Sequence, residues 1–170
     1  MTTAEVKSRD FVTAREFAAP RELVWKCFTE AERMKEWFGP KGSIVVSLTM
    51  DVRVGGTFHG ALRDGSGQVM WAKFVYREVA APARLVWLHS FADEAGNLVR
   101  HPLRATWPLQ LRTTVTFEAL PGNKTKVTLR WSPFNATAEE QSEFDAAHES
   151  MRQGWSGSFD QLDAYLATAR

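Results

Sequence analysis

Leu111-Arg112-Thr113-Thr114-Val115-Thr116-Phe117-Glu118 decides the fold. Leu111, Thr113, Val115 and Phe117 face one way while Arg112, Thr114, Thr116 and Glu118 face the other, the period of a strand with one side buried. The same period of two runs outward from this stretch. Upstream, Ile44, Val46, Leu48 and Met50 alternate with Ser47, Thr49 and Asp51; Gly55-Gly56 makes a turn, and Phe58, Gly60 and Leu62 continue the next strand. Asp64-Gly65-Ser66-Gly67 is a hairpin turn of the kind that needs positive φ. Val69 to Val79 and Arg84 to Phe91 are long strands joined across Ala80-Ala81-Pro82, and a loop from Ala92 to Pro108 precedes the quoted stretch. Downstream, Pro121-Gly122-Asn123-Lys124 turns into Val127, Leu129 and Trp131. Six consecutive strands joined this way predict an antiparallel meander.

Helical spacing flanks the meander on both sides. After a first strand at Phe11–Phe17, Pro20 suits the opening of a helix, and Leu23, Val24, Cys27 and Phe28 form its apolar stripe. Thr29-Glu30-Ala31-Glu32 reads as a capping box for a second short helix carrying Met34, Trp37 and Phe38 until Gly39-Pro40 stops it. A second capping box, Thr137-Ala138-Glu139-Glu140, opens the last segment. There Phe144, Ala147, Met151, Trp155, Ser158, Leu162, Tyr165 and Leu166 share one face over about eight turns, on the order of 45 Å. The expected class is α+β: a curved antiparallel sheet of about seven strands wrapped around a long terminal helix. One rod laid over a twisted sheet cannot fill the whole concavity. Either large side chains meet in the middle or a cavity remains.

Composition narrows the function classes. The chain has 170 residues, 44% hydrophobic and 24% charged, close to the globular average and of the length of one domain. No apolar run approaches the roughly 18 residues of a membrane span, and residues 1–10 are polar, so no membrane span or export signal is expected. The single Cys27 excludes an internal disulfide framework and any multi-thiolate metal site, which fits a cytoplasmic location. From Ala138 onward the balance is −5, leaving +6 for the preceding segment, but the basic residues are scattered and give no nucleic-acid signature. Seven Trp and eleven Phe against two Tyr point to a large core or an aromatic-walled cavity.

Individual residues sharpen this. His59, His89, His101 and His148 stand at no metal-ligand spacing from one another, so neither a metal nor a cofactor is expected. His59 alternates with the aromatic Phe58 and points away from it. His89 shares a face with Leu85, Trp87 and Phe91, which makes it the polar group best placed to line an apolar cavity, as a hydrogen-bond partner or as an acid–base catalyst. Trp71, Trp87 and Trp131 lie in strands whose alternation allows them a common concave face. Gly154 and Gly157 flank Trp155 inside a helix, where each costs about 1 kcal/mol against alanine. They leave room for a ligand beside Met151 and Trp155, or they let the helix backbone approach the sheet. Ser156 is one residue out of register for a nucleophile elbow. The basic stretch Arg100 to Arg104, with His101, is a solvated loop or a gate at the pocket mouth. Val69 to Val79 and Arg84 to Phe91 are apolar on both sides, which suggests cover on the outer face, for example by a second copy in a homodimer.

Together Pro20-Arg21-Glu22-Leu23-Val24-Trp25, Trp37-Phe38-Gly39-Pro40, Gly55-Gly56, Gly154-Trp155 and Leu162 to Leu166 carry a family likeness. The chain resembles bacterial proteins similar to the C-terminal domain of the heat-shock-protein-90 ATPase activator, within the START, birch-pollen-allergen-like (SRPBCC) superfamily of helix-grip folds. The likeness implies one domain over residues 1–170 with its core at 11–166, and a hydrophobic pocket between sheet and terminal helix. Lipid carriers, hormone receptors, polyketide cyclases and chaperone regulators share that superfamily, so the fold does not select among them. About ten residues precede the first strand where the eukaryotic activator carries a further domain, so a chaperone is not the expected partner. The expected function is binding of a small aromatic or lipid-like molecule by Trp37, Phe38, Phe58, Trp71, Trp87, Trp131, Met151 and Trp155, with His89 fixing its orientation. The alternatives are a cyclase or dehydratase using His89 to move a proton, and a chaperone-interacting module.

Overall fold

The structure, a computed structural model, describes residues 9–169. Its strands are β1 (Phe11–Phe17), β2 (Ile44–Met50), β3 (Thr57–Arg63), β4 (Val69–Ala80), β5 (Arg84–Ala92), β6 (Leu98–Val99), β7 (Gln110–Leu120) and β8 (Lys124–Phe134). Between β1 and β2 lie helices α1 (Arg21–Thr29) and α2 (Ala31–Met34), and the chain ends in α3 (Ala138–Ala146) and α4 (His148–Thr168). All strand pairs are antiparallel, in the order β1-β8-β7-β5-β4-β3-β2. The meander is as expected, and β1 extends it at one edge by pairing with β8. The eighth strand, β6, is two residues long and pairs with the end of β5 beyond the reach of β7. This is an α+β, helix-grip architecture.

Register assigns the faces, because cross-strand partners in an antiparallel pair point the same way. Phe58 faces Phe74, Phe74 faces His89, Tyr76 faces Trp87, Trp87 faces Thr113 and Thr113 faces Trp131, so all of these stand on the concave side. Leu111, Thr113, Val115 and Phe117 are buried there as the alternation requires. On the convex side Val86 and Leu88 are buried by the chain itself, beside the Arg84–Glu78 ion pair. These two residues therefore need no second copy to cover them.

Two helix readings are corrected. The terminal segment is not one rod: it breaks at Ala147 (φ −101°, ψ 6°) into α3 and the 21-residue α4. No glycine or proline stands there, so the cause is tertiary. Phe144 at the end of α3 packs against Trp107, His148 at the start of α4 packs against Phe11, and the two rings meet edge-on across the break. The capping box at Thr29 does not form either. The Thr29 hydroxyl donates back to the Trp25 carbonyl at 2.9 Å, and α2 begins at Ala31 with Glu30 at its N-cap and no side-chain cap. The box at Thr137 does form, with Glu140 N–H donating to Thr137 Oγ1 and Thr137 N–H to Glu140 Oε1.

Candidate functional site

The concave side is filled at one end and open at the other. At the filled end Phe58 stacks on Phe74 at 4.0 Å and Phe74 on Trp87 at 4.7 Å, with Phe38 and Tyr76 edge-on to this row. Trp37 closes the row from below α1, its indole N–H donating to the Cys27 carbonyl. Burial raises the Cys27 thiol to about 11, as expected of a structural cysteine.

At the open end lies a cavity of about 690 Å³ between the sheet and α4. Trp131 and His89 form its floor, Phe91 and His101 one wall, and Met151, Gly154 and Trp155 of α4 its roof. The segment Phe38–Ser43 and the β3–β4 hairpin with Leu62, Gln68 and Met70 close the other side. Its walls are apolar apart from a few separated polar groups, and its volume falls within the roughly 300–1,000 Å³ typical of small-molecule sites.

Of the residues expected to hold a ligand, Phe38, Trp71, His89, Trp131, Met151 and Trp155 line this cavity. Trp37, Phe58 and Trp87 do not; they are spent on the stacked core, where the Trp87 indole N–H is buried without an acceptor. Trp71 also departs from its expected face. It pairs with Ala61 and Ala92 in the convex phase, and its ring stacks on His59 at 4.6 Å, so it reaches the cavity only at the edge. His59 points away from Phe58 as expected, its Nε2 lying 3.0 Å from the Asp93 carbonyl oxygen.

The two glycines of α4 divide the two readings between them. A Cβ on Gly154 would meet nothing within 4 Å, so this glycine opens space on the cavity side. A Cβ on Gly157 would stand 3.0 Å from the Lys41 backbone nitrogen. The close approach is thus to the segment before β2 and not to the sheet. Ser158 Oγ donates to the Gly39 carbonyl at 2.7 Å and Gln161 Nε2 to the same oxygen at 2.8 Å, pinning that segment to α4. Gly39 takes φ +108°, a conformation that glycine adopts without penalty.

Both imidazoles of the lining are shifted toward their neutral form. His89 is half-buried, and Phe74 and Trp131 lie against its ring at 5.2 and 5.5 Å. Burial in this aromatic setting lowers its pKa to about 4, so at neutral pH it is uncharged. Its ring nitrogens form no hydrogen bond among the described residues. His101 sits edge-on to Phe91 at 4.9 Å, and its Nδ1 accepts from the Leu103 N–H at 3.0 Å. Burial, then the neighbouring Arg104, lowers its pKa also. The loop bearing His101 is strapped to α3: Arg100 pairs with Glu140, Thr106 bonds to Glu143, and Trp107 packs on Phe144. Glu140 is held below the usual carboxylate range, first by the backbone N–H of Thr137 and also by Arg100. Among the described residues no cluster of side chains could hold a metal ion, and no helix is long and apolar enough to cross a membrane.

The sequence reading missed the segment Gly39–Ser43, Phe91 and the β3–β4 hairpin as lining. Phe91 carried a signal, because it shares the face of His89. The loops carried none, since only the packing of α4 brings them to the cavity.

A curved antiparallel sheet gripping a terminal helix around an apolar cavity defines the helix-grip class. The family model described as Activator of Hsp90 ATPase homolog 1-like protein matches residues 18–167, and the chain belongs to that family. Solved structures agree. A protein from Nitrosomonas europaea is 25% identical, with a TM-score of 0.72 over 95% of this chain and 96% of that one. One from Arthrobacter aurescens is 25% identical, with a TM-score of 0.76 over 95% of this chain and 87% of that one. A protein from Rhodobacter sphaeroides, 16% identical, shares the fold with a TM-score of 0.75 over 98% of both chains. Comparison with curated proteins finds no match.

Proposed function

We propose that this protein binds a small apolar molecule, aromatic or lipid-like, in the cavity between the sheet and α4. The observation that carries this reading is the cavity itself: about 690 Å³ beside Trp131, Trp155, Phe38 and Phe91, bounded by a helix that carries a glycine where a side chain would intrude. Interiors are otherwise close-packed, so an apolar concavity of this size, open at one end, stands apart from the filled core beside it. The lone buried thiol supports a cytoplasmic setting for that binding.

His89 serves this reading better as a hydrogen-bonding group than as a proton donor, because a pKa of about 4 leaves it almost wholly unprotonated at neutral pH. The test is titration with naphthalene-type probes, read by the fluorescence of the cavity tryptophans, alongside native mass spectrometry of the gently purified protein. The expected result is saturable binding that Gly154→Leu abolishes while the variant's far-ultraviolet spectrum stays native. Absence of binding across the probe series would overturn the reading.

A further inference from the structure

Resting on the binding reading above, we infer that the ligand is an aromatic molecule bearing an uncharged hydroxyl group, seated with that hydroxyl on His89, and that the site selects against the corresponding carboxylate. Most polar atoms inside the cavity are already in use. Trp131 lies in its lining, yet its indole N–H is already given to Thr113 Oγ1 at 2.8 Å. Ser158 Oγ is given to the Gly39 carbonyl. Asp64, exposed at the hairpin, turns its Oδ1 to the turn itself, accepting from Ser66 N–H, Ser66 Oγ and Gln68 N–H. Lys41, Gln68 and Ser150 are exposed, so among the less exposed lining side chains the imidazoles keep donor capacity in reserve. His89 has both ring nitrogens without a partner among the described residues. The His101 Nδ1 is occupied by Leu103, which places its proton on Nε2 and leaves that N–H as a donor.

A neutral imidazole offers one donor and one acceptor. A hydroxyl group is its match, since it donates and accepts through a single atom. The surroundings favour a ring behind that hydroxyl, because Phe91 stands between His89 and His101, with centroid distances of 6.5 and 4.9 Å, and Trp131 lies 5.5 Å from His89. A carboxylate seated on His89 finds no buried cation in the lining. The charged residues of the lining are Lys41 and Asp64, both exposed at the rim. The neutral ring gives a carboxylate one N–H and no charge, and an ion pair with His89 would first require protonating it. With a pKa of about 4 that costs roughly a thousandfold in affinity at neutral pH before any attraction is regained.

The experiment compares naphthalene, naphthol and naphthoate at neutral pH by calorimetry and tryptophan fluorescence. Naphthol should bind about tenfold more tightly than naphthalene, the value of one well-made hydrogen bond, and naphthoate more weakly than both. In His89→Leu the naphthol and naphthalene affinities should converge, with the variant's thermal melt serving as the check that it is folded. The His89 ring nitrogens, followed by nitrogen-detected magnetic resonance, should shift with naphthol and stay in place with naphthalene. Equal affinity for all three probes, or tighter binding of naphthoate, overturns this inference while leaving the binding reading intact. Failure of every probe to bind overturns the binding reading itself.

Discussion

Gly157 of α4 and Lys41 of the segment before β2 meet without a gap: a Cβ on Gly157 would lie 3.0 Å from the Lys41 nitrogen and 3.1 Å from its Cβ. That segment cannot easily retreat, because Ser158 and Gln161 hold Gly39 from the same helix. Gly154, nearly one turn earlier, faces open space. Gly154→Ala should therefore raise stability by about 0.5–1 kcal/mol, the helix-propensity gain, and the melting temperature by about 1–4 °C. Gly157→Ala should melt below the wild type, the clash outweighing the same gain. Calorimetric melts of the two variants check the ordering; the reverse ordering would mean that the Lys41 segment yields freely.

Acid should destabilise the protein through His89. Its folded-state pKa of about 4 lies below the ordinary value of 6.5, so the unfolded chain takes up this proton first as pH falls. The penalty is absent well above the ordinary value, grows as pH drops through it, and levels off below about pH 4 at roughly 3 kcal/mol as an upper bound. Between neutral pH and about pH 5, the wild type should lose roughly 2 kcal/mol more than His89→Phe in urea unfolding. His101 and the carboxylates are common to both proteins and cancel in the difference. Parallel losses would assign the acid sensitivity elsewhere.

The strap between the His101 loop and α3 should govern release more than stability. Arg100 is exposed on one side of its pair with Glu140, so Arg100→Ala should cost no more than about 1 kcal/mol. Stopped-flow measurement should nevertheless show faster release of a bound aromatic probe, since the loop carrying His101 loses an anchor. An unchanged release rate would show that the loop does not limit exit.

Thr137→Ala removes a formed capping box, and should lower stability by about 0.5–2 kcal/mol. Thr29→Ala removes a hydroxyl that merely returns to the Trp25 carbonyl and should cost less. Urea denaturation of the pair tests whether similar sequence signatures at the two sites are energetically different.

Cys27, buried in the core with its pKa raised to about 11, should resist iodoacetamide in the native protein and react once unfolded. Mass spectrometry of the alkylated protein reads this directly. Rapid native labelling would show that α1 opens readily.

Much of the candidate site was legible from strand phase. Placing His89 on the face of Trp87 and Phe91 needs only a period of two, and that face is the concave one. Phase failed at Trp71, because β4 is apolar on both sides and alternation there does not say which side is inward. It also could not separate Trp87 from Trp131, which share the concave side. One is stacked on Phe74, the other lies on the cavity floor.

The amino-acid sequence by itself determined the order of elements, the meander and the helix cap at Thr137, because each follows from side chains a few residues apart. The tertiary structure alone decided the break at Ala147, the loss of the cap at Thr29 and the division of the aromatic residues between packed core and cavity wall. Those outcomes depend on which rings from distant strands meet and how much space they leave, and no local pattern carries that volume.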